Sequence, residues 1–190
     1  MKRGTNMSSP VHASKTAKIE THLLRDDGRI PNNPVRPLLV YRSALPLDGR
    51  DPAADCEAIF TRNDWGNGWR NGVYSYHHYH ATAHEVLGIV RGEARVRFGG
   101  DAGPVVAVRA GDVVVIPAGV GHKNEGASPD LLVIGAYPAG TAPDRWTDRS
   151  ADRERAIALI RKVPMPARDP LYGEGGPLIE QWTKSDPQAA

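Results

Sequence analysis

Between residues 38 and 137 the chain alternates short apolar or β-branched runs with turn residues, the runs falling at 38–41, 58–61, 73–79, 86–90, 94–98, 105–108, 113–116 and 131–137. Runs this short, rich in Val, Ile and Tyr, predict strands rather than helices. Between them stand Arg91-Gly92-Glu93, Gly99-Gly100-Asp101, Ala110-Gly111-Asp112 and Pro117-Ala118-Gly119, the residue types that tight turns require. Eight short strands joined this way predict an all-β domain, a jelly roll or a closed sandwich.

The flanks have a different texture. Residues 1–35 are polar and interrupted by Pro10, Pro31 and Pro34, which predicts an N-terminal arm lying on the domain or frayed from it, with His12 and His22 at the surface. Over 152–163, Ala156, Ile157, Ile160 and Val163 recur at helical spacing among charged residues. That pattern predicts one C-terminal helix, capped by Ser150 or Asp152 and ended by Pro164, serving as a lid on the sandwich or a dimer contact. The prolines at 164, 166, 170, 177 and 187 predict an extended C-terminal arm after it.

Composition narrows the classes. With 190 residues, 20 Gly and 16 Pro, the chain fits one compact domain with many turns. A net charge of +2 with both signs interspersed leaves no basic stripe for nucleic acid. The longest apolar run, 113–117, is far too short to cross a bilayer, and the polar N-terminus lacks a signal-peptide core, so the expected location is the cytoplasm. Cys56 is the single cysteine and reads as a buried structural thiol.

Five of the seven histidines, His77, His78, His80, His84 and His122, fall within 77–122, and such clustering asks for a metal. Strand alternation sends His78 and His80 to one face, where both imidazoles reach one ion. A turn at 81–83 would bring the Glu85 carboxylate to the same ion, and His122, after a Pro-x-Gly turn, would close the site from a later strand. Three imidazoles and a carboxylate suit a first-row divalent ion with open positions. His84 is the alternative ligand to Glu85, if the His80 strand continues without a turn. His77 points the opposite way and reads as a surface or sheet-packing residue. By the same parity Tyr74 and Tyr76 extend the pocket inward beside the ligands. Trp65, Trp69, Arg70 and Asn71 form a Gly-punctuated loop at the mouth, where Arg70 would receive an anionic substrate.

The spacing Gly72-x5-His78-x-His80-x4-Glu85-x6-Gly92 resembles the first motif of the cupin superfamily (RmlC-like), and Gly111-x5-Pro117-x-Gly119-x2-His122 resembles the second. Gly126 stands where that second motif usually ends in Asn. The stretch 65–80, with His84-Glu85-Val86-Leu87-Gly88, is similar to the small bacterial YjlB-type cupins, a group without an established function. The resemblance implies a double-stranded β-helix barrel over 36–140, between an N-terminal arm at 1–35 and a C-terminal helix and arm at 141–190. It implies a divalent transition metal (Fe, Mn, Ni or Zn) on His78, His80, Glu85 and His122. The function expected from it is metal-dependent dioxygenase or isomerase chemistry on a small organic molecule. The alternative is a non-catalytic cupin that binds a small ligand for storage or sensing. Because sheet edges ask to be paired and the arms are too polar to fold alone, a homodimer exchanging an arm is expected.

Overall fold

The structure is a computed structural model and describes residues 11–185, so Pro10 and Pro187 of the expected arms lie outside the described residues. In chain order it contains β1 (Lys18–Leu24), β2 (Asn33–Arg42), α1 (Pro52–Arg62), β3 (Trp65–Asn71), β4 (His78–Tyr79), β5 (Glu85–Arg91), β6 (Glu93–Phe98) and β7 (Val105–Arg109). Then follow β8 (Val113–Ile116), β9 (His122–Ala127), β10 (Leu132–Pro138), β11 (Trp146–Thr147), α2 (Arg153–Ile160) and α3 (Pro177–Ser185). The strands form two antiparallel sheets, a six-stranded one in the order β1-β2-β8-β5-β10-β3 and a five-stranded one in the order β11-β4-β9-β6-β7. This is the all-β jelly roll that the strand spacing predicts.

The apolar runs are continuous rather than alternating because the six-stranded sheet is covered on both faces. Leu38 and Val40 of β2, Leu87 and Ile89 of β5, and Val114 and Ile116 of β8 face the other sheet, where Val96, Phe98 and Val106 meet them. Their neighbours Leu39, Tyr41, Val86, Val90, Val113 and Val115 face outward into a second apolar layer. That layer is roofed by Ile59 and Phe60 of α1 and by Leu178 and Trp182 of α3. Gly88 lets the roof sit close, since a Cβ there would stand 2.6 Å from Cys56 Sγ and 3.1 Å from the Phe60 ring.

Strands at 86–90, 94–98, 105–108, 113–116 and 131–137 form as predicted, each to within two residues. The run at 58–61 does not: it is the end of α1. Asp51 caps that helix, its side chain accepting from Ala54 N–H, Pro52 occupies the first turn, and Ala53, Cys56, Ile59 and Phe60 make its buried face. The run at 73–79 keeps only His78 and Tyr79 as strand, while 65–71, expected as a loop, is β3. Helix α2 forms with Asp152 as its cap, the side chain accepting from Arg155 N–H.

After α2 the chain is neither frayed nor wholly extended. Residues 164–185 cross the outer face of the six-stranded sheet and end in α3, whose fully buried Trp182 donates from Nε1 to the Pro37 carbonyl at 2.8 Å. Asp169 anchors this strap. Its Oδ1 accepts from the N–H groups of Leu171 and Tyr172, and its Oδ2 from Leu178 N–H and the Tyr41 hydroxyl. Cys56 is buried, with its thiol pKa pushed up by burial, as a structural thiol should be. No helix among the described residues is long and apolar enough to cross a membrane.

Candidate functional site

The two sheets part at one end around a cavity of about 440 Å³. The five-stranded sheet brings His78 on β4 directly opposite His122 on β9, and their ring centroids are 4.0 Å apart. His80 lies just past β4. One ring nitrogen from each of His78, His80 and His122 lies within 4.8 Å of the others. The six-stranded sheet contributes Glu85 at the start of β5. Its Oε2 stands 3.2 Å from His122 Nε2 and 3.5 Å from His80 Nε2, so all four side chains converge between the sheets.

Backbone carbonyls fix the tautomers of two of these rings. His122 Nδ1 lies 3.2 Å from the Val120 carbonyl, and His80 Nδ1 meets the Asp144 carbonyl. A carbonyl oxygen only accepts, so each Nδ1 carries a proton and each Nε2 is the nitrogen turned toward Glu85. Glu85 Oε2 is buried and has no hydrogen-bond partner.

The charges respond to this crowding. Burial alone would raise the Glu85 carboxyl, but His80 and His122 outweigh it and hold the group well below the usual carboxylate range. Burial likewise acts to lower His80, and the Glu85 charge reverses that, leaving its pKa raised. His78, farther from the carboxylate, is pushed down to about 3 by burial and then by His122.

His84 has a different surrounding. It is fully buried on the other face of the sheet, its ring centroid 4.7 Å from that of Trp182. Nδ1 accepts from Ala118 N–H at 2.9 Å, which makes Nε2 the donor to the Pro164 carbonyl at 3.2 Å. Burial first, then the nearby Arg36, push its pKa down to about 3, so it is a neutral core histidine. The alternative ligand set with His84 in place of Glu85 is therefore corrected: the chain turns at 81–83, and consecutive residues of β5 face opposite sides. His77 is buried, with Nε2 3.0 Å from Asp101 Oδ1, rather than a surface residue.

The expected substrate contacts are redistributed. Arg70 does not face the cavity, because on β3 it alternates with Trp69 and Asn71, which do. Its guanidinium instead grips Glu57 of α1 in a bidentate pair of 2.7 and 2.8 Å on the outer surface. Of the two tyrosines, Tyr74 lines the cavity and Tyr76 does not. They stack on each other at the mouth, ring centroids 5.1 Å apart and both exposed, because the backbone at 72–77 is not a strand and parity fails there. Tyr74 still lines the opening and meets the His78 ring edge-on.

The sequence reading missed Tyr137, Asp144 and Arg145. Tyr137, near the end of β10, lines the cavity, accepts from Trp69 Nε1–H at 3.0 Å and meets the His80 ring edge-on. Its hydroxyl pKa is raised by burial and by the Glu85 charge. Trp69 is held beside it because Gly135, its cross-strand partner, has no side chain; a Cβ there would come within 2.1 Å of the indole. Tyr137 sits in a recognised apolar run, but nothing in that run marks it as a site residue. Asp144 and Arg145 follow Pro143, beyond the strand pattern altogether.

A cupin domain model matches residues 70–134. The uncharacterized protein YjlB of Bacillus subtilis (strain 168) is 47% identical to this chain over 165 residues, 87% of this chain and 97% of that protein. Among solved structures the chain is similar to procruciferin, an 11S globulin from Brassica napus, at TM-score 0.35 and 19% identity, over 69% of this chain and 27% of that one. DMSP lyase DddQ from Ruegeria pomeroyi DSS-3 matches at TM-score 0.34 and 16% identity, over 69% of this chain and 51% of that one. A deletion mutant of Bacillus subtilis oxalate decarboxylase OxdC matches at TM-score 0.33 and 15% identity, over 74% and 30%. The chain thus spans about half or less of each of these longer structures.

Proposed function

The chain belongs to the YjlB-type cupins, and on that premise we propose that it is a small metal-dependent enzyme whose His78, His80, Glu85 and His122 hold one divalent first-row ion, iron, manganese, nickel or zinc. One observation carries the reading. Three imidazoles, of His78, His80 and His122, bring one ring nitrogen each within 4.8 Å of the others, and the buried Glu85 carboxylate stands among them, its Oε2 3.2 Å from His122 Nε2 and 3.5 Å from His80 Nε2. Three imidazoles and a carboxylate converging in a buried pocket are the donor set a divalent first-row ion takes, and such an ion would satisfy these buried polar atoms together. Bound there, the ion supplies Lewis acidity and, where it is redox-active, the electron chemistry of an oxygenase; isomerase chemistry needs the Lewis acidity alone.

The chain's own residues supply the rest. The Asp144 and Val120 carbonyls orient the two imidazoles by accepting their Nδ1 protons. Leu87 and Val73 line the cavity with apolar surface that displaces water from a small organic substrate. Indole N–H is only a donor, so Trp69 occupies a lone pair of the Tyr137 oxygen and leaves the Tyr137 O–H proton to be given to Glu85 or to a substrate oxygen.

Elemental analysis of protein purified without chelator or added metal tests this, with an expected content near one ion per chain. A protein that arrives empty and takes up none of Fe²⁺, Mn²⁺, Ni²⁺ or Zn²⁺ on titration overturns it. A metal-loaded protein that binds small acids or enediols without converting them is instead a storage or sensing module.

A further inference from the structure

Among the described residues lining the cavity, Arg145 is the one Lys or Arg. It follows Asp144, yet that carboxylate is already engaged: Oδ1 accepts from the N–H groups of Ala81 and Thr82, and Oδ2 from Trp146 Nε1 at 2.5 Å. Among the described residues no carboxylate lies within ion-pair distance of the Arg145 guanidinium. Its contacts are to Tyr74: Nη1 lies 3.4 Å from the hydroxyl, and Cζ lies 5.6 Å from the ring centroid. The same Tyr74 ring meets His78 edge-on, with centroids 4.9 Å apart. The guanidinium is therefore exposed at the mouth, one aromatic ring away from the converging histidines. Arg70 and Arg97, by contrast, each spend their charge on a glutamate.

The charge count points the same way. Glu85 cancels one charge of a divalent ion and the Arg145 guanidinium offsets Asp144, the other carboxylate lining the cavity, so the loaded cavity keeps a net positive charge that attracts anions. A guanidinium presents a planar fork that matches a carboxylate. The walls between are flat and aromatic, made by Tyr74, Trp69 and Tyr137.

We propose that the cavity takes a small hydroxy or keto acid, with its carboxylate on Arg145 at the mouth and its second oxygen directed at His78, His80, Glu85 and His122. The second contact rests on the metal reading above; the carboxylate contact does not.

The test is isothermal titration of the full chain with lactate, mandelate and salicylate, each paired with its primary amide, with metal content measured on the same samples. At least one acid is expected to bind about tenfold more tightly than its amide. Arg145→Gln should shrink that ratio to below about twofold with metal content unchanged, and Arg145→Lys, which keeps the charge but not the fork, should fall between. The inference is overturned if wild type binds acid and amide alike, if none of the acids binds at ~10 mM, or if Arg145→Gln keeps the preference or loses metal. The metal reading fails separately, by absent and unrecoverable metal. In that case the same titrations on the metal-free protein still decide the carboxylate contact, since an acid preference that depends on Arg145 upholds it and its absence refutes it.

Discussion

Glu85 and His84 are chain neighbours whose side chains leave the strand in opposite directions, one into the cavity and one into the outer core. Substituting each therefore separates site from scaffold. Glu85→Gln keeps the shape and removes the charge, and should weaken metal binding at least about tenfold in competition against a chelator. His84→Gln should retain its metal yet lose about 1–3 kcal/mol in urea unfolding, because Ala118 N–H and the Pro164 carbonyl then meet an ill-fitting partner. His84 also predicts a pH dependence. Its folded pKa of about 3 lies below the ordinary 6.5, so between those values the unfolded chain binds the extra proton and stability falls as the solution is acidified. The slope from one such group is about 1.4 kcal/mol per pH unit. The stability is fully present above pH 6.5, and His78 adds to it with the same sign in the metal-free protein. Urea unfolding of that form from pH 7 to 4 should show a shallower decline for His84→Gln than for wild type, and parallel curves would refute the assignment. At this scale the sequence shows where the histidines cluster, because His78 and His80 keep strand parity. It misplaces Tyr76, where the backbone leaves the strand, and Arg70, whose neighbours on β3 face the cavity in its place.

Elements were legible where the apolar pattern alone decides them. The strands from β5 to β8, and β10, carry short β-branched apolar runs bounded by turn residues, the pattern of a strand. Helix α1 misleads because its last apolar residues are contiguous; the better signal was at its start, in Asp51 and Pro52. Strand β3 is hidden by composition, since Gly66 and Gly68 disfavour a strand that its pairing to β10 nevertheless forms. Residues 164–185 are hidden because prolines suggest an arm, whereas one buried carboxylate ties them down. Asp169→Asn tests that tie. The amide would turn N–H donors toward Leu178 N–H or toward the N–H groups of Leu171 and Tyr172, so a loss of about 3 kcal/mol in urea unfolding is expected. A loss under ~0.5 kcal/mol would show that apolar contacts such as Trp182 hold the strap without it.

The whole molecule places the candidate site between the sheets and helices α1 and α3 outside the six-stranded one, so the strap can stabilise the barrel without closing the mouth. That arrangement bears on assembly. The C-terminal segment, once expected to reach a neighbour, is spent on its own chain as far as Ser185, with Trp182 and Leu178 fully buried there. Sheet edges remain: β1 and β3, of seven residues each, end the six-stranded sheet, but α1 packs against β3, and β7 at the edge of the other sheet has five. A long open edge is a template for pairing unless something covers it. Near it, Leu23 is 48% exposed and Val35 36% exposed, and apart from the two tyrosines at the mouth these are the exposed large hydrophobic residues among those described. Their strands pair through Leu24 and Asn33, which puts both at the same end of the β1–β2 ladder. A homodimer pairing across β1 would cover the edge and this apolar pair together through one self-complementary contact. Light scattering on the full chain should then give twice the 20.6 kDa chain mass at micromolar concentration. Leu23→Glu combined with Val35→Glu should reduce it to a single chain while metal content holds, because neither residue lines the cavity. A wild-type chain that is already monomeric, or a dimer indifferent to both charges, would exclude β1 as the interface.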